Sequence, residues 1–272
     1  MMFPALAAAA LVSLFSSAAR AQDTVSLKLD VVAWGNDITG LSLGSGGGAN
    51  KQITALAFRY SKPVSYSGAQ VMEIHQAGGT AANAAEGAQN NAPMSPELKA
   101  ARDKDPTVVA IAKLPGNSRR ATVLIAPAQG GTYQTFVIDD DPSKLPLGKL
   151  RVHNYSPFTI AVRCNGKEGM QMKLKDSFLA EPKDGQIVYE LMYQKDGKWK
   201  NQENNLISVG KDEQVQFIVL QSDSDFFTSS DGSKSGFLQC VTLRRNAKED
   251  ESEAHTPAQP TNRPAEETPP PH

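Results

Sequence analysis

Apolar and polar residues alternate along most of the chain between residues 22 and 245, and this two-residue period is typical of β-strands with one buried face. The alternation is clear in LKLDVV (27–32) and in QIVYELMYQ (186–194). Asp196-Gly197 and Asn165-Gly166 separate such segments, and these pairs accept the positive φ angles of a two-residue hairpin turn. The pattern predicts an all-β protein of antiparallel sheets packed as sandwiches.

The same succession of strands and turns occurs twice along the chain. The matching segments are 27–43 with 150–164, 68–79 with 184–197, and 119–139 with 212–245. We therefore predict two tandem Ig-like β-sandwich units, over residues 22–141 and 142–245, with an internal duplication as one interpretation. The polar segment Asp139–Pro146, interrupted by two prolines, marks the boundary between them.

One segment departs from the two-residue period. In PMSPELKAARDK (93–104), Ser95 is a helix N-cap, Pro96 suits the first helical position and basic residues follow later, so a short helix is expected. The preceding residues are rich in Ala, Gly and Asn, and we interpret 77–105 as a mobile insertion between strands. It is either a flap over a site or a surface excursion without function.

The two ends of the chain predict its cellular compartment. Residues 2–18 are apolar and precede Ala19-Arg20-Ala21, a pattern that signal peptidase accepts, so residues 1–21 are expected to be a signal peptide. Mature protein would then begin at Gln22 and be exported to the periplasm, the cell envelope or the medium. A retained anchor is the alternative, although the apolar run is shorter than the roughly 20 residues that span a bilayer. No membrane span is expected after cleavage.

The C-terminal segment 246–272 contains no aromatic and no large aliphatic residue, and its formal charge is −4. It cannot bury enough apolar surface to offset its ordering entropy, so a disordered acidic, Pro-rich tail is expected. This tail is either a solvated spacer or a handle for a partner. The rest of the chain is close to neutral, because the whole has a net charge of −1. That balance argues against nucleic-acid binding.

The two cysteines, Cys164 and Cys240, have the parity and the compartment for one disulfide. Cys164 continues an inward-facing set of residues, whereas Cys240 has apolar neighbours on both faces of its strand. The alternatives are therefore a disulfide that closes a long loop or two buried thiols that never meet. Neither cysteine has a redox-type spacing or a nearby histidine, so a catalytic thiol is not expected.

No strong catalytic or metal-binding motif is present. Asp139-Asp140-Asp141 and the carboxylates in 222–231 offer oxygen ligands suited to Ca²⁺, without the spacing of a known calcium loop, and a solvated linker explains them equally. An enzyme would have only His75 or His153 as an imidazole base outside the tail. We expect a protein that is not an enzyme and that has no cofactor and no metal.

Aromatic residues on strands and at turns would form a ligand platform if they were exposed in a row, although core packing explains most of them. Phe226-Phe227 stands apart because a polar segment surrounds it. This pair is either a plug that packs back on the sheets or an exposed contact site.

The segment LRVHNYSPFTIAVRCNG (150–166) has a strand, a Ser-Pro turn and a strand that ends in Asn-Gly. It resembles the opening hairpin of exported bacterial Ig-like β-sandwich domains of unknown function, and of the small periplasmic accessory subunit of alginate acetylation. The resemblance covers about 17 residues. It implies a sandwich and assigns no functional residue.

These observations favour a non-catalytic exported β-sandwich protein that acts as a binding or structural module for a protein or polysaccharide partner in the cell envelope. A carbohydrate-binding or polysaccharide-modification accessory protein is the alternative, and exposed coplanar aromatic rings would favour it. An enzyme ranks third and requires a cleft that brings His75 or His153 beside a serine or a carboxylate.

Overall fold

The computed structural model describes residues 23–44, 51–77, 93–221, 227–228, 234–235 and 238–246. The predicted signal peptide, most of the predicted insertion and nearly all of the predicted tail lie outside these residues. No helix in the described ranges is long and apolar enough to cross a membrane.

The described residues form eighteen strands and one helix, which confirms the all-β class. The first eight strands and the helix are β1 (Thr24–Ala33), β2 (Ile38–Leu43), β3 (Lys51–Ala57), β4 (Val64–Ala69), β5 (Val71–Gln76), α1 (Pro96–Lys104), β6 (Val108–Lys113), β7 (Arg120–Ala128) and β8 (Thr132–Asp139). The others are β9 (Lys149–Asn154), β10 (Ile160–Cys164), β11 (Met170–Met172), β12 (Ser177–Ala180), β13 (Gln186–Lys195), β14 (Lys198–Ser208), β15 (Glu213–Gln221), β16 (Phe227–Thr228), β17 (Lys234–Ser235) and β18 (Leu238–Asn246).

The local signals in the sequence produce the expected elements. Ser95 caps α1, because its side chain accepts a hydrogen bond from the Leu98 N–H, and Pro96 opens the helix. Asp196 and Gly197 both have positive φ in the turn between β13 and β14, as do Asn165 and Gly166 after β10. The predicted mobile insertion therefore includes a regular helix, which packs through the buried Leu98.

Strand pairing divides the described strands into two halves, β1 to β8 and β9 to β18, and no ladder joins them. In the first half β4-β1-β7-β8 form one sheet and β6-β5-β2-β3 the other, and the end of β3 crosses over to pair with β1. In the second half the orders are β12-β9-β15-β18 and β11-β10-β13-β14. β16 and β17 form a separate small ladder.

Six ladders of the first half have counterparts in the second half. β1 and β7 run parallel, as do their counterparts β9 and β15, whereas the strand pairs beside them are antiparallel in both halves. The remaining ladders, β2–β3, β2–β5, β5–β6 and β7–β8, have the antiparallel equivalents β10–β11, β10–β13, β13–β14 and β15–β18. The additional pairing of β3 with β1 occurs only in the first half.

Each half has its own apolar core, and a third apolar cluster joins the two halves. Alternate residues of β1 divide between these cores: Leu29 and Val31 belong to the first core, and Val32 belongs to the joining cluster. In β15, Phe217 faces the second core and Ile218 faces the joining cluster. Because both faces of these strands are covered, their sequences are almost continuously apolar.

Ile218 lies between the halves and not in the core of the second half. There it joins side chains from β1, β7, β8 and β18. The largest members of this joining cluster are Trp34, Leu124, Phe136, Ile138, Tyr155, Leu220 and Leu243. The two halves are thus packed sheet against sheet.

Candidate functional site

A groove of about 500 Å³ opens between β3 and β4, at one side of the first half. Its volume lies within the range of roughly 300–1,000 Å³ that is usual for ligand sites. It lies where the two sheets of this half diverge, because β3 is the last strand of one sheet and β4 the last strand of the other. The residues that line it are Lys51, Gln52, Ile53, Thr54, Leu56, Ser61, Lys62, Pro63, Val64 and Ser65.

Backbone groups of β4 that form no ladder with another strand face this groove. The N–H of Lys28 on β1 donates to the Arg119 carbonyl, toward β7, so the residues on either side of Lys28 direct their backbone groups toward β4. Leu27 pairs with Tyr66 in that ladder, so the residues that flank Tyr66 point the other way. The backbone N–H and C=O groups of Ser65 and Ser67 therefore lie on the free edge.

The same alternation gives β3 a free edge. The N–H of Gly44 donates to the Glu73 carbonyl on β5, so Leu43 directs its backbone toward β3, where it pairs with Lys51. Gln52 and Thr54 consequently point away from β2. Both residues line the groove. The groove thus lies between two strand edges that are free along most of their length, since β3 pairs with β1 only at its end, at Leu56 and Ala57.

The loop between β3 and β4 shapes one end of the groove. Ser61 is held against β1, because its side chain accepts from the Val31 N–H at 2.8 Å and its own N–H donates to the Val31 carbonyl at 3.2 Å. Phe58 has a positive φ and packs edge-on against Trp34, with ring centroids 5.3 Å apart. The loop is therefore anchored to both β1 and the cluster that joins the halves.

The groove has a cationic rim and an apolar floor. Ile53, Leu56 and Val64 supply apolar surface, and the lining residues include two lysines and no carboxylate. Lys51 reaches across to the facing sheet, where its ammonium donates to the Ser65 carbonyl. Within the described ranges, neither Lys51 nor Lys62 has a carboxylate partner.

The other side of the first half is closed. Strands β6 and β8 lie against each other there, and the Thr135 hydroxyl donates to the Ile111 carbonyl at 2.6 Å. In the second half, the strands equivalent to β3 and β4 are β11 and β12. Residues 173–176 connect β11 directly to β12, and the Asn154 N–H at the end of β9 binds the Asp176 carbonyl.

A second polar cluster lies between the halves. Asp30 on β1 accepts from Arg120 at 2.8 Å and from Arg245 of β18 at 2.8 Å. Arg245 also contacts Asp140 at 3.3 Å and lies over the Tyr60 ring, 4.1 Å from its centroid. All four charged residues are buried, and the two arginines balance the two carboxylates.

The predicted acidic cluster 139–141 belongs to this interface and to the linker beside it. Asp140 accepts hydrogen bonds from Thr122 and Gln216, in addition to its contact with Arg245. Asp141 binds Arg119, and these hydrogen bonds, together with those from Ser143, lower the pKa of Asp141 far below its usual range. Hydrogen bonds and ion pairs with other residues of the protein thus satisfy Asp140 and Asp141. No group of three metal-binding side chains occurs in the ranges that the structure describes.

His153 is buried at the same interface. Its Nε2 atom lies 2.7 Å from Gln216 Oε1, and its ring stacks on Tyr155 with centroids 5.6 Å apart. Because the Gln216 amide N–H donates to Asp140, its oxygen is the free acceptor, and the imidazole Nε2–H is the donor. Burial lowers the pKa of His153 to about 4, so the ring is neutral at pH 7.

The other histidine, His75, lies beside a hydroxyl and two carboxylates near the end of β5. Its Nδ1 is 3.0 Å from Thr107 Oγ1 and 3.5 Å from Asp105 Oδ2, and its Nε2 is 3.7 Å from Glu73 Oε2. The Thr107 hydroxyl donates to Asp105 at 2.7 Å, so it accepts from the imidazole. This direction is opposite to the one that activates a nucleophile. His75 ties β5 to the segment after α1.

Cys164 and Cys240 are free thiols in this structure. They lie on the two facing sheets of the second half and pack against its core. Burial raises the pKa of Cys164 to about 11 and that of Cys240 well above the usual range, so neither is a reactive thiolate at pH 7. The disulfide stays a prediction.

The side chains of the predicted contact pair, Phe226-Phe227, lie outside the described part of the structure. Phe226 lies outside the described residues, and Phe227 begins the two-residue strand β16. Most other aromatic residues considered as a platform are buried: Trp34, Tyr66, Tyr155, Tyr189 and Tyr193. Trp199 on β14 is the one large exposed aromatic among the described side chains, with 37% exposure.

The groove residues were not singled out from the sequence. β3 and β4 are amphipathic like the other strands, and an edge strand is recognised only when its neighbours are known. Lys62-Pro63 before β4 is the available signal, because lysine and proline are common at sheet edges.

Comparison with known proteins finds no matching family model and no similar curated protein. The groove therefore has to be interpreted from its own geometry.

Proposed function

We propose that this chain is a non-catalytic exported protein that binds another macromolecule of the cell envelope, and that the β3–β4 groove is its binding site. The supporting observation is the combination, at one place, of an apolar floor, a cationic rim and two strand edges that are free along most of their length. Such an edge is an adhesive surface, which proteins usually cover unless a partner uses it.

The proposal includes two tandem Ig-like sandwich units that arose by duplication. The correspondence of six ladders supports this interpretation, as does the separate apolar core of each half. The buried charges and the apolar cluster between the halves hold the groove-bearing half in a fixed orientation.

The carbohydrate-binding alternative receives less support. Stacking on sugar rings needs exposed aromatic faces, and the described residues include no row of them. Trp199 lies on β14 of the second half, away from the strands that form the groove. A polysaccharide partner is therefore an outcome that the experiment below distinguishes.

The test compares wild-type protein with a variant in which the groove is blocked. Thr54→Trp fills the opening from an exposed position, and Asn204→Trp makes the same change on the exposed surface of β14 as a matched control. Each protein is immobilised and exposed to envelope extract from the organism that makes it, and retained proteins and polysaccharides are quantified by mass spectrometry. We expect a species that wild type and Asn204→Trp retain and Thr54→Trp does not. Equal retention by all three would contradict the assignment of the groove.

A further inference from the structure

Resting on the proposed function, we propose that the groove binds an extended, acidic polypeptide segment, which adds as a strand to the free edge of β3 and places its carboxylates on Lys51 and Lys62. The backbone of β3 favours an extended partner. Gln52 and Thr54 direct N–H and C=O groups into the groove, and an extended segment satisfies such groups along its whole length. A folded surface or a sugar has no equivalent row of donors and acceptors.

The position of Lys51 supports an acidic occupant. Its ammonium lies on the inner side of the groove and has only the Ser65 carbonyl as a hydrogen-bond partner in the described chain. A carboxylate on the incoming strand replaces this neutral acceptor by a charged one, and charge-assisted hydrogen bonds are the stronger kind. Lys62 lies on the same rim and is exposed. A basic segment would meet two like charges there.

The apolar floor sets the remaining requirement. Because side chains alternate along a strand, one face of the added segment covers Ile53 and Val64 while the other faces solvent. The occupant is therefore expected to alternate β-branched residues with polar or acidic ones. The peptide segment becomes ordered when it binds, and the entropy that it loses limits the affinity.

The probes are three fluorescent synthetic peptides of about eight residues, within the usual length of a strand. All three alternate valine and threonine, and the two central threonines are replaced by glutamate, glutamine or lysine. Binding to the full-length chain is measured by fluorescence anisotropy at low and at high salt, and the bound site is mapped from backbone amide shifts in NMR spectra.

We expect the glutamate peptide to bind about threefold to tenfold more tightly than the glutamine peptide, as two exposed ion pairs would give. The lysine peptide should bind most weakly. High salt should reduce the difference, because it screens exposed charges. The backbone amides of Gln52 and Thr54 should show the largest changes in chemical shift when a peptide binds. Lys51→Gln combined with Lys62→Gln should remove the preference for glutamate while retaining binding of the glutamine peptide.

Two proline variants, one on the free edge of β3 and one on the free edge of β14, distinguish strand addition from charge attraction alone. Thr54→Pro removes an N–H group that points into the groove, and proline is tolerated on an edge strand. This variant should therefore bind none of the three peptides. Asn204→Pro makes the same change on the free edge of β14, since Glu190 opposite it directs its backbone toward β10, and should leave binding intact. Thermal melting shows whether both variants fold.

Several results would overturn the proposal. Equal binding of the three peptides would refute the acidic preference and leave the binding-module function standing. Amide shifts on β14, or binding of envelope oligosaccharides with no peptide binding, would refute strand addition to β3. If Lys51 only protects the edge, the double variant should self-associate and wild type should bind no peptide. Equal retention of envelope material by Thr54→Trp, by contrast, would refute the proposed function itself.

The chain also contains a competing acidic segment at 249–253. It follows closely after Arg245, which packs on Tyr60 in the loop beside the groove. If this segment fills the groove, then without peptide the amide chemical shifts of Gln52 and Thr54 should differ between the full chain and a chain that ends at Asn246. The shorter chain should also bind the glutamate peptide more tightly than the full chain does. That result would replace a separate partner with an internal one and overturn the proposal.

Discussion

Lowering the pH should weaken the contact between the two halves through a single buried group, His153. In the unfolded chain this imidazole has an ordinary pKa near 6.5, whereas burial lowers the folded-state pKa to about 4. Between these values the unfolded chain binds a proton that the folded protein does not bind. The contribution of His153 to the unfolding free energy is therefore fully present above about pH 6.5, and it is lost as the pH decreases toward about 4.

The two pKa values give the size of the effect. The shift is about 2.5 pKa units and each unit corresponds to about 1.4 kcal/mol, so the full loss of unfolding free energy is about 3.5 kcal/mol. About two-fifths of this loss should have occurred by about pH 5.5, and about three-quarters of it by about pH 4.5. Protonation would also place a cation near Arg151, whose charge contributes to the lowered pKa of His153.

The assay is urea unfolding of wild type and of His153→Gln at several pH values between about 7.5 and 4.5. A glutamine amide can donate to Gln216 Oε1 in place of the imidazole, and it does not titrate. Carboxylates such as Asp141 titrate in both proteins, so they cancel in the comparison. We expect wild type to lose about 2 to 3 kcal/mol more than the variant over this range.

Parallel loss of stability in the two proteins, within about 0.5 kcal/mol, would refute the reasoning, because that is the usual error of such comparisons. It would mean that His153 is accessible to water or is protonated in the folded protein. A transition with separate steps for the two halves would show instead that the interface contributes little to cooperativity.

Further predictions concern the interface, the thiols and the chain ends. Ile218→Asp should lower the unfolding free energy by at least about 3 kcal/mol, because it buries an unpaired carboxylate between the halves, whereas Ile218→Val should cost about 1 kcal/mol; urea titration measures both, and similar values would place the site in solvent. In the native protein at pH 7, Cys164 and Cys240 should not react with a thiol-specific dye. After unfolding in urea without a reductant, both cysteines should react if they are free, and neither should react if they form a disulfide. Deletion of 247–272 should leave the melting temperature unchanged, since the segment has no large apolar residue, and a decrease as large as that of Ile218→Asp would show that it docks. Mass spectrometry of the exported protein should give a chain that begins at Gln22, and a mass that includes residues 2–21 would contradict cleavage.

Local features of this protein follow from the sequence alone. Turns such as Asp196-Gly197 depend on the φ angles that two adjacent residues accept, and the start of α1 depends on Ser95 and Pro96. The two-residue period is likewise a local property, so it indicated the all-β class and most strands. The apolar runs RATVLIAPA and EQVQFIVLQ are typical of strands that are buried on both faces, as β7 and β15 are.

Only the tertiary structure showed what covers those second faces and which strands are left at an edge. Ile218 and Val32 look like core residues of separate halves in the sequence, and they meet because two sheets pack against each other. His153 and Asp140 acquire their partners from strands far away along the chain. The groove depends on which strands fail to pair, and a strand's own residues do not encode the absence of a neighbour.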